Sequence, residues 1–137
     1  FMLGVDYVGE NYDEAYIRDL LKQLTGLGCK TAVLTGVSFA PGQIGAMAYD
    51  AATDTYASYF NEKLPVSFHG TGDVFASALA ALLVRGAPLS AALETATALT
   101  DESICRSLWR DTPRRFGVDF EGALPAYIRR VEKIFEA

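Results

Sequence analysis

The stretch Phe68-His69-Gly70-Thr71-Gly72-Asp73 runs without a break into Val74 to Val84, a series of good helix formers. Two glycines around a threonine interrupt any regular element, and the acid that follows suits a first helical turn. The pattern predicts a loop feeding a helix N-terminus, with Thr71 or a neighbour as N-cap and Asp73 just inside. Such a terminus presents unpaired backbone N–H groups and the positive end of the helix dipole, so it can hold an anion. The glycines leave no Cβ between an anionic group and the backbone. The same residues also suit a plain capped helix whose Asp73 complements the dipole, since short glycine-rich patterns recur without function.

The rest of the chain places this loop in an α/β layout. Ala15, Ile17, Leu20, Leu21 and Leu24 recur at helical spacing, which predicts a helix over Asp13 to Leu27, ended by Gly26 and Gly28. Lys30 to Thr35 then reads as a buried strand closed by Gly36, and helix plus strand reads as half of a parallel βαβ unit. Ligands in such folds gather outside the carboxyl ends of strands, which puts Thr35 and Gly36 at the candidate site. Ile44 to Asp50 and Thr55 to Phe60 are predicted as a hairpin about Ala51-Ala52-Thr53-Asp54. The helix from Thr71 to Val84 should stop at Arg85-Gly86, with Gly86 as the C′ residue. A second long helix is expected over Leu89 to Leu108, with Pro88 at N1 or Ser90 as cap. Its alanines and threonines suit close packing. After a loop from Arg110 to Gly117 containing Pro113, Leu124, Ile128, Val131 and Phe135 line one face of a final helix. One parallel strand and a hairpin cannot bury both faces with these helices alone, because parallel sheets are covered on both sides by more strands. Phe1-Met2-Leu3-Gly4 reads as a helix end stopped by Gly4 and as a cut from inside a longer polypeptide.

Composition narrows the function. Half of the 137 residues are hydrophobic and net charge is -5, from 12 basic and 17 acidic residues, which predicts a globular chain of one domain; with too few strands to cover, it reads as a single partial domain over 1–137. The basic pairs Arg114-Arg115 and Arg129-Arg130 are short, and no basic residues interleave with the aromatics of Thr55 to Phe60, so nucleic-acid binding is not expected. Cys29 and Cys105 lack metal-ligand spacing with the one histidine, His69, and read as small core residues in a reducing compartment. No apolar run is long enough to span a bilayer and no signal peptide is visible, so the expected location is cytoplasmic, away from membranes. Trp109, Tyr56 and Tyr59 read as packing aromatics.

Gly70-Thr71-Gly72-Asp73, followed by Val74-Phe75-Ala76-Ser77-Ala78, resembles the anion-hole motif of the ribokinase-like superfamily. More narrowly, Ser67 to Ser77 resembles the pyridoxal/pyridoxamine kinase branch. The resemblance covers most of this chain and only the C-terminal half of that fold, a three-layer α/β/α sandwich, here with few strands plus a β-hairpin. It implies ATP-dependent phosphorylation of the hydroxymethyl group of a B6 vitamer (pyridoxal, pyridoxamine or pyridoxine). Asp73 would then be the catalytic base. Gly70, Thr71 and Gly72 would line the anion hole, and Thr35, Gly36 and Thr71 would lie at the nucleotide phosphates. Where relatives often carry Ser, this chain has Gly36, so of the strand-end pair only Thr35 keeps a hydroxyl. The Leu89–Leu108 helix would wall the adenine. His69 precedes the motif without being required by this chemistry. The resemblance also implies Mg2+, positioned by residues upstream of Phe1, and a B6-binding part in the N-terminal half. That leads to an expectation of homo-oligomers or of pairing with a missing N-terminal half. The alternatives are a hydroxymethylpyrimidine or other small-molecule kinase of the superfamily, and a truncated inactive fragment that binds only nucleotide or a partner.

Overall fold

The computed structural model describes residues 2–110 and 117–136. The chain divides into two compact units, Phe1–Lys63 and Leu64–Ala137, and each is built from elements adjacent in sequence. The first unit holds helix α1 (Glu14–Thr25) and strands β1 (Thr31–Val37), β2 (Gln43–Asp50) and β3 (Thr55–Glu62); the second holds α2 (Thr71–Val84), α3 (Leu89–Trp109) and α4 (Leu124–Phe135), the last preceded by a 3-10 turn at Glu121–Ala123.

In the first unit α1 starts where the sequence predicts. Asp13 is its N-cap, and its carboxylate accepts the Tyr16 N–H at 2.8 Å, satisfying one of the N–H groups that no helical carbonyl can reach. Ile17 and Leu21 point into the core and meet Ala32, Val37, Met47 and Tyr49 of the sheet, with Leu20, Leu24, Leu34 and Phe60 packed around them. The strands form one sheet in the order β1-β2-β3. The hairpin lies where its spacing predicts it, with Tyr49 opposite Tyr56 and Asp50 opposite Thr55. Its turn is held by Asp54 in the left-handed region (φ 51) and by Asp50 Oδ1, which accepts the Ala52 N–H at 2.8 Å; Asp is one of the few non-glycine residues that tolerate that conformation.

β1 departs from expectation. It pairs antiparallel with β2, Thr31 opposite Asp50 and Thr35 opposite Ala46, so among the described residues the sheet is wholly antiparallel. Only Ala32 and Val37 of this strand are buried, because β1 is an edge strand. β2, flanked on both sides, is buried continuously from Ala46 to Tyr49. Composition cannot distinguish the two arrangements, since Thr-Ala-Val-Leu-Thr suits either direction of pairing. Other expectations also give way. Met2 and Leu3 form a turn with Gly4 at φ 66, not the end of a helix, and Cys29, in the turn after α1, is exposed.

In the second unit α2 packs along α3. Phe75, Ala78, Leu79 and Leu82 are buried along α2, and Ala92, Leu93, Ala96 and Leu99 along α3. Four of the hydroxyls scattered along α3 are compatible with a close interface because they turn back on their own helix. Thr97 donates to Leu93 O at 2.8 Å, Thr100 to Ala96 O at 3.0 Å, Ser103 to Leu99 O at 2.6 Å and Ser107 to Ser103 O at 2.8 Å. A buried hydroxyl without such a partner would cost about 1–3 kcal/mol. α2 ends as predicted. Gly86 is left-handed (φ 86), its N–H donates to Leu83 O and that of Ala87 to Leu82 O, both at 3.0 Å, the paired bonds of a Schellman terminus. Pro88 sits outside α3 as the N-cap residue, one position earlier than N1, with no side-chain cap. Trp109 is 90% exposed rather than packed. The predicted loop about Pro113 lies outside the described residues.

Tyr127 ties α4 to α2 by donating to Ala78 O at 3.3 Å. Burial pushes its hydroxyl pKa up, opposed more weakly by the positive charge of Arg85. The folded protein therefore holds this proton more tightly than the unfolded chain does. Its contribution to stability is complete below about pH 10, the ordinary tyrosine value, and is lost as pH climbs through the raised one. Urea melts between pH 9 and 11 should show wild type losing stability more steeply than Tyr127→Phe; parallel profiles would refute this.

Candidate active site

The glycine loop opens α2 through backbone conformation alone. Gly70 is the N-cap residue, in the left-handed region (φ 84, ψ -2), and no side chain caps the helix. Thr71 is therefore the first helical residue rather than the cap. Its hydroxyl turns away from the helix N–H groups and donates to Phe68 O at 3.3 Å, which ties the loop to a residue that is itself buried. The first helical bond runs from Val74 N–H to Gly70 O at 3.0 Å. By helix geometry the N–H groups of Thr71, Gly72 and Asp73 have no helical carbonyl to reach. Gly70, Gly72 and Asp73 are exposed, and Thr71 is half-buried. A Cβ at Gly70 or at Gly72 would meet nothing within 4 Å, so the approach to these donors is open. Asp73, in the first turn, brings a carboxylate to the same terminus. An incoming phosphate group would find donors and a proton acceptor side by side.

Thr35 and Gly36 lie in the first unit, at the carboxyl end of β1. Both are exposed, and the β1–β2 register slips between Thr35 and Val37, with Gly36 left-handed at φ 71. This bulge leaves Gly36 out of the ladder, next to Thr35, which still pairs with Ala46. They line an open cavity of about 770 Å³ together with Tyr12, Ser38, Phe39 and Lys63. Ser38 donates its N–H to the Tyr12 hydroxyl at 3.0 Å, so the loop after β1 is anchored to the segment leading into α1.

Two residues at the glycine loop escape a reading based on motifs. Gly117, with φ 77, lies so close to the loop that a Cβ there would stand 3.2 Å from His69 O. Asp119 anchors the same segment: its N–H donates to Ser107 Oγ at 2.7 Å, and its Oδ1 accepts the Gly122 N–H at 3.2 Å. The only sequence signal is a lone glycine two residues before an acid. The His69 side chain is exposed, and it is its carbonyl that the fold uses.

Among the described residues no group of three His, Cys, Asp or Glu side chains is placed to hold a metal ion. The glycine cradle does have room for a nucleotide phosphate.

Residues 7–112 match the family model described as phosphomethylpyrimidine kinase. The chain belongs to this family. Solved structures agree on the fold. A Bacteroides thetaiotaomicron protein provisionally assigned as a phosphomethylpyrimidine kinase superposes with a TM-score of 0.78 at 21% identity, over 94% of this chain and 42% of its own. Pyridoxal kinase from Lactobacillus plantarum gives 0.73 at 28% identity, over 85% of this chain and 42% of that one. Pyridoxal kinase from Leishmania donovani, solved with ADP and pyridoxine, gives 0.67 at 18% identity, over 93% and 43%. The chain thus spans about 42% of the length of these kinases, and it is a part of a ribokinase-like α/β fold. A comparison with curated proteins found no significant match. Among the described residues no helix is long and apolar enough to cross a membrane.

The two motif glycines should respond differently to alanine. Gly70→Ala forces a left-handed residue to carry a Cβ and should cost about 1–2 kcal/mol. Gly72→Ala puts a better helix former into open space and should hold stability or raise it by up to about 1 kcal/mol. Thermal melts of both variants, with a phosphate titration of each, check this. A marked loss of stability in Gly72→Ala would show that its glycine serves the fold rather than access.

Proposed function

We propose that this chain carries the phosphate-binding and proton-accepting part of an ATP-dependent kinase that phosphorylates the hydroxymethyl group of a B6 vitamer. The observation that carries the reading is the Gly70–Asp73 helix start, where open backbone donors and a carboxylate converge, in a chain of the phosphomethylpyrimidine kinase family. Phosphoryl transfer depends on positioning and charge stabilisation more than on covalent chemistry. Gly70, Thr71 and Gly72 form the anion hole, and their N–H groups offset the negative charge that grows on the transferred group. Donors of this type are commonly worth on the order of 3 kcal/mol each. Asp73 takes the proton of the attacking hydroxyl. Thr35, Gly36 and Thr71 take the nucleotide phosphates, Thr71 through its backbone N–H, and α3 walls the adenine. Bound ATP supplies the phosphoryl group, accompanied by Mg2+ as in other phosphoryl transfers. The reading sets the reaction in the cytoplasm. The L. plantarum pyridoxal kinase, and a B. thetaiotaomicron structure solved with pyridoxal, support a B6 vitamer as acceptor. Because the chain spans about 42% of such kinases, the remaining length of the fold supplies the rest of the substrate and metal contacts, joined to this part or paired with it.

The family description favours a second acceptor, a hydroxymethyl- or phosphomethylpyrimidine. The chemistry separates hydroxymethyl acceptors of either kind from a phosphomethyl one. A hydroxymethyl acceptor needs its proton removed, whereas a phosphate monoester is already largely ionised at neutral pH (second pKa about 6). Asp73→Asn, assayed in a polypeptide carrying the whole family fold, should lower turnover on a hydroxymethyl acceptor by roughly 10²–10⁴-fold. Nucleotide affinity should hold or improve slightly, since a negative charge beside the phosphates is gone. If Asp73 serves only the helix dipole, turnover stays near normal while stability falls by about 0.3–1 kcal/mol. That result would sink the catalytic assignment. Retained turnover on a phosphomethyl acceptor alone would select the pyrimidine reading.

A further inference from the structure

The glycine loop has one tie of its own, the Thr71 hydroxyl on Phe68 O. Gly70 has two soft dihedrals in a conformation that only glycine adopts freely, and no side chain caps the helix that it starts. A donor cluster that acts by preorganisation needs support from packed neighbours. Within the second unit that support comes from the segment Gly117-Val118-Asp119. Gly117, left-handed at φ 77, stands against the His69 carbonyl, where a Cβ would lie 3.2 Å from that oxygen and press the loop by a few tenths of an ångström. Val118 is buried. Asp119 then locks the segment to the last turns of α3. Its N–H donates to Ser107 Oγ at 2.7 Å, and that hydroxyl, itself 1% exposed, donates to Ser103 O. Its Oδ2 lies 3.1 Å from Arg110 Nη1 and 3.6 Å from Arg106 Nε. Gly122 leaves the space that the Arg106 guanidinium fills.

We infer that Asp119 and Gly117 are positioning residues for the anion loop: the Asp119 knot on α3 holds Gly117 against the His69 carbonyl, and this contact sets the direction of the Thr71–Asp73 N–H groups. Neither residue touches the bound anion. The geometric part stands on the second unit alone, while the effect on nucleotide rests on the kinase reading proposed above.

The test compares Gly117→Ala, Asp119→Asn and Arg110→Gln with Gly86→Ala. Gly86 is also left-handed (φ 86), with nothing near a Cβ, so it carries the same backbone cost at the far end of α2 and reports on stability alone. Arg110 is well exposed, 63% at its side chain, so removing its charge weakens the knot in a variant that keeps its core. Amide ¹⁵N–¹H spectra should show shifts at His69 to Asp73 in Gly117→Ala, Asp119→Asn and Arg110→Gln. In Gly86→Ala those signals should stay in place while the melting temperature falls. ADP affinity should drop by roughly 10–100-fold in Gly117→Ala and Asp119→Asn, the scale of an ångström-sized misplacement, and hold in Gly86→Ala. If His69 to Asp73 are unmoved in every folded variant of the knot, or move equally in Gly86→Ala, the positioning role is overturned. If those signals move but a polypeptide carrying the whole family fold fails to bind ADP, the positioning role stands and the kinase reading falls.

Discussion

The left-handed turn at Gly70 is the constraint on which the site depends. It ends the connector from the sheet, starts α2 without a side-chain cap, and leaves the first N–H groups of the helix facing open space. A serine or aspartate cap would have satisfied one of those donors from within. A helix capped in that way is more stable in isolation and a poorer host for an anion. On the proposed reading, the choice of glycine over a capping side chain concedes local stability to binding. The helix is held instead by its packing along α3, where alanines and self-satisfied hydroxyls let the two backbones approach.

Local features were legible in the sequence and long-range ones were not. α2 begins and ends at the residues its glycines and apolar run indicate, and Gly86 closes it with the expected pair of bonds. The hairpin about Ala51 to Asp54 was equally plain, because alternation and turn residues are short-range signals. The direction of β1 was not, since an edge strand and a buried parallel strand draw on the same β-branched residues and differ only in which neighbour reaches them. Cys29 and Trp109 failed for a related reason. Their burial depends on what surrounds them, and composition assigns them only an average environment.

The candidate site divides in the same way. Gly70 to Asp73 announce themselves as a contiguous pattern whose physics is local to one helix turn. Thr35 and Gly36 could be placed at a strand end, but the bulge that takes Gly36 out of the ladder shows only in the β1–β2 register. Gly117 and Asp119 lie far along the chain from the loop they adjoin, and no periodicity links a glycine there to a carbonyl at His69. Only coordinates reveal that contact.

Every well-packed pair of elements joins near neighbours along the chain: α1 with β1 and β2, β1 with β2, β2 with β3, α2 with α3, and α3 with α4. Among the described residues, these pairings close through short loops, each of modest entropic cost.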